Sequence, residues 1–283
     1  MLTIAALAYG VNIPYARLAG DLGVSGPNAV ALRVLCVLPL FAGAALIGGV
    51  SLNVRGEERA RLFWLGVTCA FTGLGYLSSI AFVPVGVAVM IFYTFPLIIL
   101  LLSPFVDKAR LGFVELIAFA LAFTGIALAI GPSFQTLDWR GLVLAFVASL
   151  GAAAQFFLAA RAPGGGGLAT LFWIHAIVLP VALLASFING GPPRLSSLEA
   201  AVSPLVITTL LYVLGVVLQI RGLRLISASA AGLIFCLEPI VATLSAGLLL
   251  GERLSLLQYA GGALVLCAIV FNIVFGAARR EPG

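Results

Sequence analysis

Charged residues are scarce in this sequence: Asp, Glu, Lys and Arg together make up only 9% of its 283 residues. A soluble domain carries roughly 25% of such residues, because its surface faces water. Hydrophobic residues account for 63% of the chain, compared with about 45–50% in a soluble domain. The shortage of charge therefore excludes a water-soluble protein and predicts an integral membrane protein.

Residues that build metal centres and catalytic sites are also few. The chain has one histidine and four cysteines, and it contains no CxxC, HExxH or GxSxG motif. The glycine run at 164–167 lacks the Lys-Ser or Lys-Thr of a phosphate loop. Its Lys and Arg residues form no basic face with interleaved aromatics, which nucleic-acid binding requires. We therefore expect no metal, no cofactor, no enzymatic activity and no nucleic-acid partner.

Glycines, prolines and charges divide the apolar sequence into ten runs of about the 20 residues that a membrane span needs. The first run follows no basic segment and precedes no small-residue cleavage site, so we expect a span rather than a removable signal peptide. The prediction is an all-α membrane protein with ten transmembrane helices. These are spans 1 to 10 in order: 2–18, 27–49, 62–82, 84–106, 112–131, 139–160, 168–189, 201–220, 226–250 and 255–276.

The distribution of Lys and Arg predicts the orientation, because basic loops resist translocation. If the N-terminus is inside the cell, ten of the basic residues lie on the inside and four on the outside, and Arg33 falls within a span. This excess of basic residues inside predicts that both termini are cytoplasmic. The inside set is Arg55, Arg59, Arg61, Lys108, Arg110, Arg161, Arg221, Arg224, Arg279 and Arg280, and the outside set is Arg17, Arg140, Arg194 and Arg253.

An internal repeat with an offset of 143 residues relates the two halves of the chain. The offset aligns Ile91-Phe92 with Ile234-Phe235, Pro96 with Pro239, and Arg110-Leu111 with Arg253-Leu254. The predicted halves are 1–131 (spans 1 to 5) and 132–283 (spans 6 to 10). Five spans is an odd number, so the second half must enter the membrane upside down. That arrangement is an inverted repeat, in which substrate sites lie near the midplane between the halves.

The sequence resembles a known family at this point. The stretch 222–269, with ASAAGLIFCLEP followed by LLLGERLSLLQYAGGALVL, resembles the second repeat of EamA-type transporters of the drug/metabolite transporter superfamily. The first half, with Arg33 in ALRVL and Pro96 in FYTFPLII, resembles the companion repeat. It departs at 108–110, where KAR replaces the GER of 251–253. The resemblance implies a ten-helix bundle in the inner or plasma membrane that exports or exchanges small metabolites.

Glu238 is the most informative polar residue within a span, since an ionisable group at the bilayer centre costs about 2.5–3.5 kcal/mol. It directly precedes Pro239, which removes a backbone donor and can open the helix. One interpretation is a carboxylate that binds a cationic or hydroxyl-bearing substrate, or a proton. The alternative is a protonated or paired carboxyl that bonds a neighbouring helix. Its repeat mate is Phe95, so a charge-dependent role belongs to one half only.

Two further ionisable residues lie within spans and are candidates for a charge partner or a proton relay. Arg33 in span 2 either snorkels towards the interface or pairs with Glu238 or a substrate carboxylate. His175 in span 7 either relays protons or stays neutral and donates one hydrogen bond.

Uncharged polar residues complete the candidate substrate cavity. The repeat relates Asn12 to Gln155 and Tyr76 to Gln219, and Tyr93 precedes Pro96 by about one helical turn. Hydrogen bonds that merely pack the helices are the alternative. The resemblance points to spans 1, 3, 4, 6, 8 and 9 as the cavity wall. The predicted cavity consists of Asn12, Tyr76, Tyr93, Gln155, Gln219 and Glu238, with helix kinks at Pro96 and Pro239.

These features predict a secondary transporter of small polar metabolites such as amino acids, working by alternating access, with protons as a further candidate ligand. A passive channel or facilitator, or a membrane sensor without turnover, stays open as an alternative. Small residues four apart in span 5, at 118–122 and 125–129, allow close helix packing either within a monomer or in a homodimer.

Overall fold

The computed structural model describes residues 1–79, 82–108, 112–131, 137–162, 167–251 and 253–277, without the side chains of 57, 85, 276 and 277. All regular structure in these ranges is α-helical, which confirms the predicted all-α class. Some residues used in the sequence predictions lie outside the described residues. They are Ala109, Arg110, Leu111, Gly164, Gly165, Gly166, Glu252, Arg279 and Arg280.

The first half of the chain forms six helices. Proline in the first turn of α2 costs no hydrogen bond, because that N–H has no partner within the helix, and Pro27 occupies this position. The helices are α1 (Leu2–Asp21), α2 (Gly26–Ile47), α3 (Gly56–Ser79), α4 (Val85–Phe92), α5 (Phe95–Val106) and α6 (Phe113–Ile130).

The second half repeats this series. Side-chain caps begin two of its helices: Asp138 accepts a hydrogen bond from the Arg140 N–H at the start of α7, and Ser227 accepts one from the Ala230 N–H at the start of α10. The helices are α7 (Trp139–Ala160), α8 (Leu168–Ile188), α9 (Leu195–Gly222), α10 (Ala228–Phe235), α11 (Leu237–Leu250) and α12 (Leu256–Ala277).

Two of the predicted spans are broken helices. The first consists of α4 and α5 and breaks at Tyr93 and Thr94, directly before Phe95-Pro96. The second consists of α10 and α11 and breaks at Cys236. A proline cannot donate the backbone hydrogen bond that would continue the helix across the break. Each broken pair is still long and apolar enough to cross a membrane once, α4–α5 over Gly86–Val106 and α10–α11 over Ala228–Leu250.

The two broken spans also end alike. Gly251 follows α11 in the left-handed region with φ +68°, and Lys108, its repeat mate, lies just beyond α5 with φ +54°. A left-handed residue at the end of a helix is usually glycine, since a side chain is strained there. The unusual backbone of Lys108 therefore agrees with the 143-residue offset.

Counting each broken pair once, the described part of the chain contains ten membrane-length helices. Nine have both the length and the apolar composition of a bilayer span. The tenth, α1, has 20 residues and is long enough to span a bilayer. Polar residues such as Asn12 and Arg17 lower its apolar character, so it is not one of these nine. The multi-pass membrane architecture is confirmed.

The main helix contacts join one half of the chain to the other. Helix α1 packs along α9 and α11, and α3 packs along α7. The pairs α2–α8, α5–α10 and α6–α12 also cross between the halves. Helices α1 to α6 correspond in order to α7 to α12. When each helix is replaced by its counterpart, the α1–α9 pair becomes the α7–α3 pair, and the pairs α2–α8 and α6–α12 stay the same. The core is therefore the interface between the two halves.

The small residues of span 5 serve contacts within the chain. A Cβ added at Gly125 on α6 would lie 2.7 Å from the carbonyl oxygen of Gly261 on α12, and one added at Gly261 would lie 2.5 Å from that of Gly125. Such backbone contact is what small residues permit in a membrane. This face of α6 is thus covered by α12, which favours internal packing over dimerisation for Gly125.

Candidate functional site

Glu238 lies where the two halves meet. It is the second residue of α11, directly after the helix break, and its side chain is partly buried. Helix α1 crosses it very closely, because a Cβ added at Gly10 would lie 2.8 Å from the Glu238 carbonyl oxygen and 2.6 Å from Val241 Cβ. Because Gly10 has no side chain, α1 can approach α11 this closely. Glu238 therefore lies beside the first half of the chain.

Tyrosines of the first half lie near the Glu238 carboxyl group. The Tyr93 hydroxyl is buried, makes no hydrogen bond of normal geometry, and lies next to the carboxyl. Tyr9 and Tyr76 lie within electrostatic range of it. Phenol hydroxyls are donors that suit a carboxylate acceptor. The structure therefore brings the predicted residues Tyr76, Tyr93 and Glu238 together and adds Tyr9.

Asn12 and Gln219 connect α1 to α9. The Asn12 side-chain amide donates to the Thr208 carbonyl oxygen at 2.6 Å, and the Tyr9 hydroxyl donates to Gln219 Oε1 at 2.9 Å. Asn12 thus makes the helix-packing bond that the alternative interpretation described. Gln155, its repeat mate, is partly buried on α7 and makes no comparable bond to the rest of the described chain.

Arg33 points into the bundle. Its Cζ atom lies 4.5 Å from the centroid of the Tyr212 ring on α9, and its buried Nε has no hydrogen-bond partner. The guanidinium therefore forms a cation–π contact rather than reaching for the interface. Among the described residues it forms no ion pair with Glu238.

His175 is fully buried and holds Tyr212 in place. Its Nδ1 lies 2.6 Å from the Leu171 carbonyl oxygen, and its Nε2 lies 3.0 Å from the Tyr212 hydroxyl. A carbonyl only accepts, so Nδ1 carries the hydrogen, and Nε2 of the neutral ring accepts from Tyr212. The geometry matches a neutral histidine that donates one hydrogen bond.

Sequence reasoning missed Tyr9 and Tyr212. Tyr9 precedes Asn12 by three residues, and Tyr212 precedes Gln219 by seven, so each shares a helix face with a predicted residue. Their repeat mates are Ala152 and Cys69, and a search for polar pairs related by the repeat therefore passes over them. Gly215 was a further signal, because a Cβ there would lie 2.5 Å from Tyr9 Cε1.

Buried aromatic rings close the space beside the polar residues. Phe156 contacts Phe95 and Phe235 with ring centroids 5.2 and 5.1 Å apart, and Phe235 contacts Tyr9 at 6.1 Å. All three phenylalanines are 2% exposed. They come from α5, α7 and α10, so the barrier consists of residues from both halves.

Two clefts on the surface are lined by other residues. One, of about 580 Å³, is lined by Leu137, Asp138, Trp139 and Arg140 at the start of α7. The other, of about 240 Å³, is an apolar groove between α4, α6 and α7. Within the residues that the structure describes, no three His, Cys, Asp or Glu side chains are grouped to hold a metal.

The sequence profile of the EamA-like transporter family matches residues 1–131 and 139–274, which is nearly the whole chain. The chain belongs to the EamA-like transporter family. The resemblance seen in the sequence is thereby confirmed, and the protein is a membrane transporter rather than an enzyme.

Several relatives of this EamA-family chain carry transporter names. The threonine/homoserine exporter RhtA of Salmonella typhimurium is 27% identical over 267 residues, covering 92% of this chain and 85% of that protein. A probable amino-acid metabolite efflux pump of the same species is 26% identical, covering 77% of this chain and 78% of that protein. A solved crystal structure matches 98% of this chain and 99% of its own, with a TM-score of 0.72 at 18% identity, which shows the fold alone.

Proposed function

We propose that this EamA-family transporter exports or exchanges small polar metabolites such as amino acids by alternating access. The observation that carries the proposal is the position of Glu238. Its partly buried carboxyl group lies at a helix break between the two halves, with the Tyr93 hydroxyl beside it and without a cationic partner among the described residues. A group that costs free energy in a membrane and lies on the interface of two rocking halves suits a substrate or proton site.

The halves 1–131 and 132–283 work, in this proposal, as inverted repeats with both termini cytoplasmic in the inner or plasma membrane. Contacts between residues assigned to the same face support the topology. The Arg61 guanidinium donates to the Arg161 carbonyl oxygen at 3.0 Å, although 100 residues separate them, and both belong to the predicted inside set. The excess of basic residues in that set supports a cytoplasmic location for this face.

The substrate class rests on the chemistry of the cluster and on the names of relatives. A carboxyl group beside several phenols can accept from an ammonium or hydroxyl group and has few cations for a phosphate. Two relatives are named for amino-acid export. We therefore propose a small amino acid, such as threonine or homoserine, as the transported solute.

A carrier fits the interior better than an open pore. Phe95, Phe156 and Phe235 fill the interface between the halves beside Glu238, and each is almost fully buried. A channel needs a continuous polar path, whereas a carrier needs a barrier on one side of its site at any time. The aromatic barrier therefore favours alternating access over the passive channel, whereas the sensor without turnover is tested by the transport measurement below.

Counterflow of labelled L-threonine in proteoliposomes tests the proposal. The purified protein is reconstituted with and without unlabelled threonine inside, and uptake is followed with and without a pH gradient. We expect internal threonine to accelerate labelled uptake, because a carrier returns faster when loaded. Acceleration by a proton gradient would add proton coupling. A rate of labelled uptake that is the same with and without internal threonine would favour a channel. A rate no faster than in protein-free liposomes would contradict amino-acid transport.

A further inference from the structure

Arg33 is a cation inside a membrane bundle and forms no ion pair with another residue in the part of the chain that the structure describes. Two ion pairs that the structure does show, Arg140–Asp138 and Arg161–Asp107, lie at helix ends. Arg33 instead has the face of the Tyr212 ring against its guanidinium. Charged residues within spans are costly and usually pair or face a polar cavity, so the position of Arg33 needs a further explanation.

The hydrogen bonds around Arg33 leave donors unused. Its Nε is buried without an acceptor. The Tyr212 hydroxyl donates to His175, and the Tyr9 hydroxyl donates to Gln219 Oε1. The Gln219 side-chain NH₂ group makes no bond to the described chain. The spare capacity at Arg33 itself thus consists of an N–H donor and a positive charge, which together suit an anion.

Tyr9 contacts residues beside both Arg33 and Glu238: its ring centroid lies 6.2 Å from that of Tyr212, which Arg33 faces, and 6.1 Å from that of Phe235, three residues before Glu238. Tyr9 is within electrostatic range of both Arg33 and Glu238, while Arg33 and Glu238 form no ion pair with each other. Because Arg33 and Glu238 do not pair with each other, both can interact with a ligand that carries a negative and a positive group. The planar guanidinium is also the side chain best suited to grip a carboxylate by two parallel bonds.

We propose that Arg33 binds the carboxylate of the transported solute, and that Glu238 faces the ammonium end of the same molecule across Tyr9. This inference rests on the proposed amino-acid transport and adds the orientation of the solute. The carboxylate lies towards α2 and α9, and the ammonium lies towards α11. In the competing explanation, Arg33 only packs against Tyr212 and touches no solute.

Binding of two matched compounds separates these explanations. Affinities for L-threonine and for L-threoninol, which lacks the carboxylate, are measured on the purified protein in detergent. We expect the wild-type protein to prefer threonine. Arg33→Gln should weaken threonine binding roughly tenfold or more and leave threoninol binding unchanged. Arg194→Gln, at an exposed position before α9, serves as the control and should keep the preference. An Arg33→Gln protein that keeps the wild-type preference would overturn the proposal.

Arg33→Lys covers the case in which Arg33→Gln does not fold. It keeps the positive charge for Tyr212 but cannot form two parallel bonds. We expect it to reduce the preference for threonine while binding threoninol as the wild-type protein does. A purely structural Arg33 would leave the ratio of the two affinities unchanged.

A third arm distinguishes failure of this inference from failure of the proposed substrate class. If the wild-type protein binds neither compound, its thermal unfolding is compared in sodium acetate and in sodium chloride at equal concentration. Stabilisation by acetate in the wild-type protein but not in Arg33→Gln would retain the carboxylate site and reject amino acids as the solute. The same response in both proteins would reject the site itself.

Discussion

The contact between α1 and α9 and the contact between α3 and α7 occupy equivalent places in the two halves but differ in chemistry. In the first, Tyr9 bonds Gln219 and Asn12 bonds the Thr208 backbone. In the second, small residues pack: a Cβ at Gly75 would lie 3.2 Å from Ala148 Cβ, and one at Gly151 would lie 3.0 Å from Thr72 Oγ1. The two contacts thus pair corresponding helices, but the side-chain hydrogen bonds of Tyr9 and Asn12 lie in the α1–α9 contact.

The two helix breaks differ in the same way. At the first break, Thr94 bonds Ser149 on α7 with 2.8 Å between the two hydroxyl oxygens. At the second break, Cys236 lies in the position of Tyr93, and Glu238 lies in that of Phe95. Gly10 on α1, next to Tyr9 and two residues before Asn12, lies against the Glu238 backbone. The proposed substrate site therefore draws its charged group from the second break and not from the first.

The largest expected effect comes from filling the close approach of α1 to α11. Gly10→Leu places a side chain where a Cβ alone would lie 2.6 Å from Val241 Cβ, so the helices must separate. We expect a loss of about 1–3 kcal/mol or more in the free energy of unfolding, measured by thermal unfolding in detergent. Gly75→Leu, the same substitution at the α3–α7 contact, should cost less, since the Cβ contact at Gly75 is 3.2 Å. Equal losses would contradict the difference in closeness between the two contacts.

A smaller effect separates the tyrosines of the two contacts. Tyr9→Phe removes the hydroxyl that donates to Gln219 and should cost about 1 kcal/mol. Tyr76→Phe, at the repeat mate of Gln219, removes a hydroxyl with no hydrogen-bond partner in the described chain and should leave unfolding nearly unchanged. Chemical denaturation in a mild detergent measures both. If Tyr76→Phe is the more damaging change, the α1–α9 contact is not the polar one.

The smallest effect concerns the start of α7, which has a side-chain cap where α1 has none. Hydrogen bonds from the Arg140 side chain and backbone hold the pKa of the Asp138 carboxyl below its ordinary value. A lowered pKa contributes stability above the unfolded value of about 3.9 and loses it as the pH falls through the folded value. Asp138→Asn should therefore destabilise slightly at neutral pH and not at all in strong acid. A pH-independent difference would contradict this origin.

The architecture was largely predictable from the sequence, whereas the contacts of the site were not. Hydrophobic length gives the spans, and Pro96 and Pro239 mark the broken helices, because both signals are local. Spacing also indicated a role for Glu238 and for Tyr93. It could not show that Gly10 and Gly215 let α1 approach two helices of the other half, since such contacts depend on the packing of distant segments.

Arg33 illustrates the same limit. Its depth in the span allowed either snorkelling or a role inside the bundle, and only the position of Tyr212 selected the inward direction. The division of the chain at residue 131, the inverted orientation, the cytoplasmic termini and the roles of all the cavity residues stay predictions.

Replacement of Glu238 tests the central claim most directly. Threonine uptake into proteoliposomes is measured across a range of pH for the wild-type protein, for Glu238→Gln, and for Glu199→Gln, a control at an exposed position on α9. We predict that Glu238→Gln lowers uptake at least about tenfold and changes its pH profile, while Glu199→Gln behaves as the wild-type protein. Uptake by Glu238→Gln at the wild-type rate, with an unchanged pH profile, would contradict a substrate site built on the second half of the repeat.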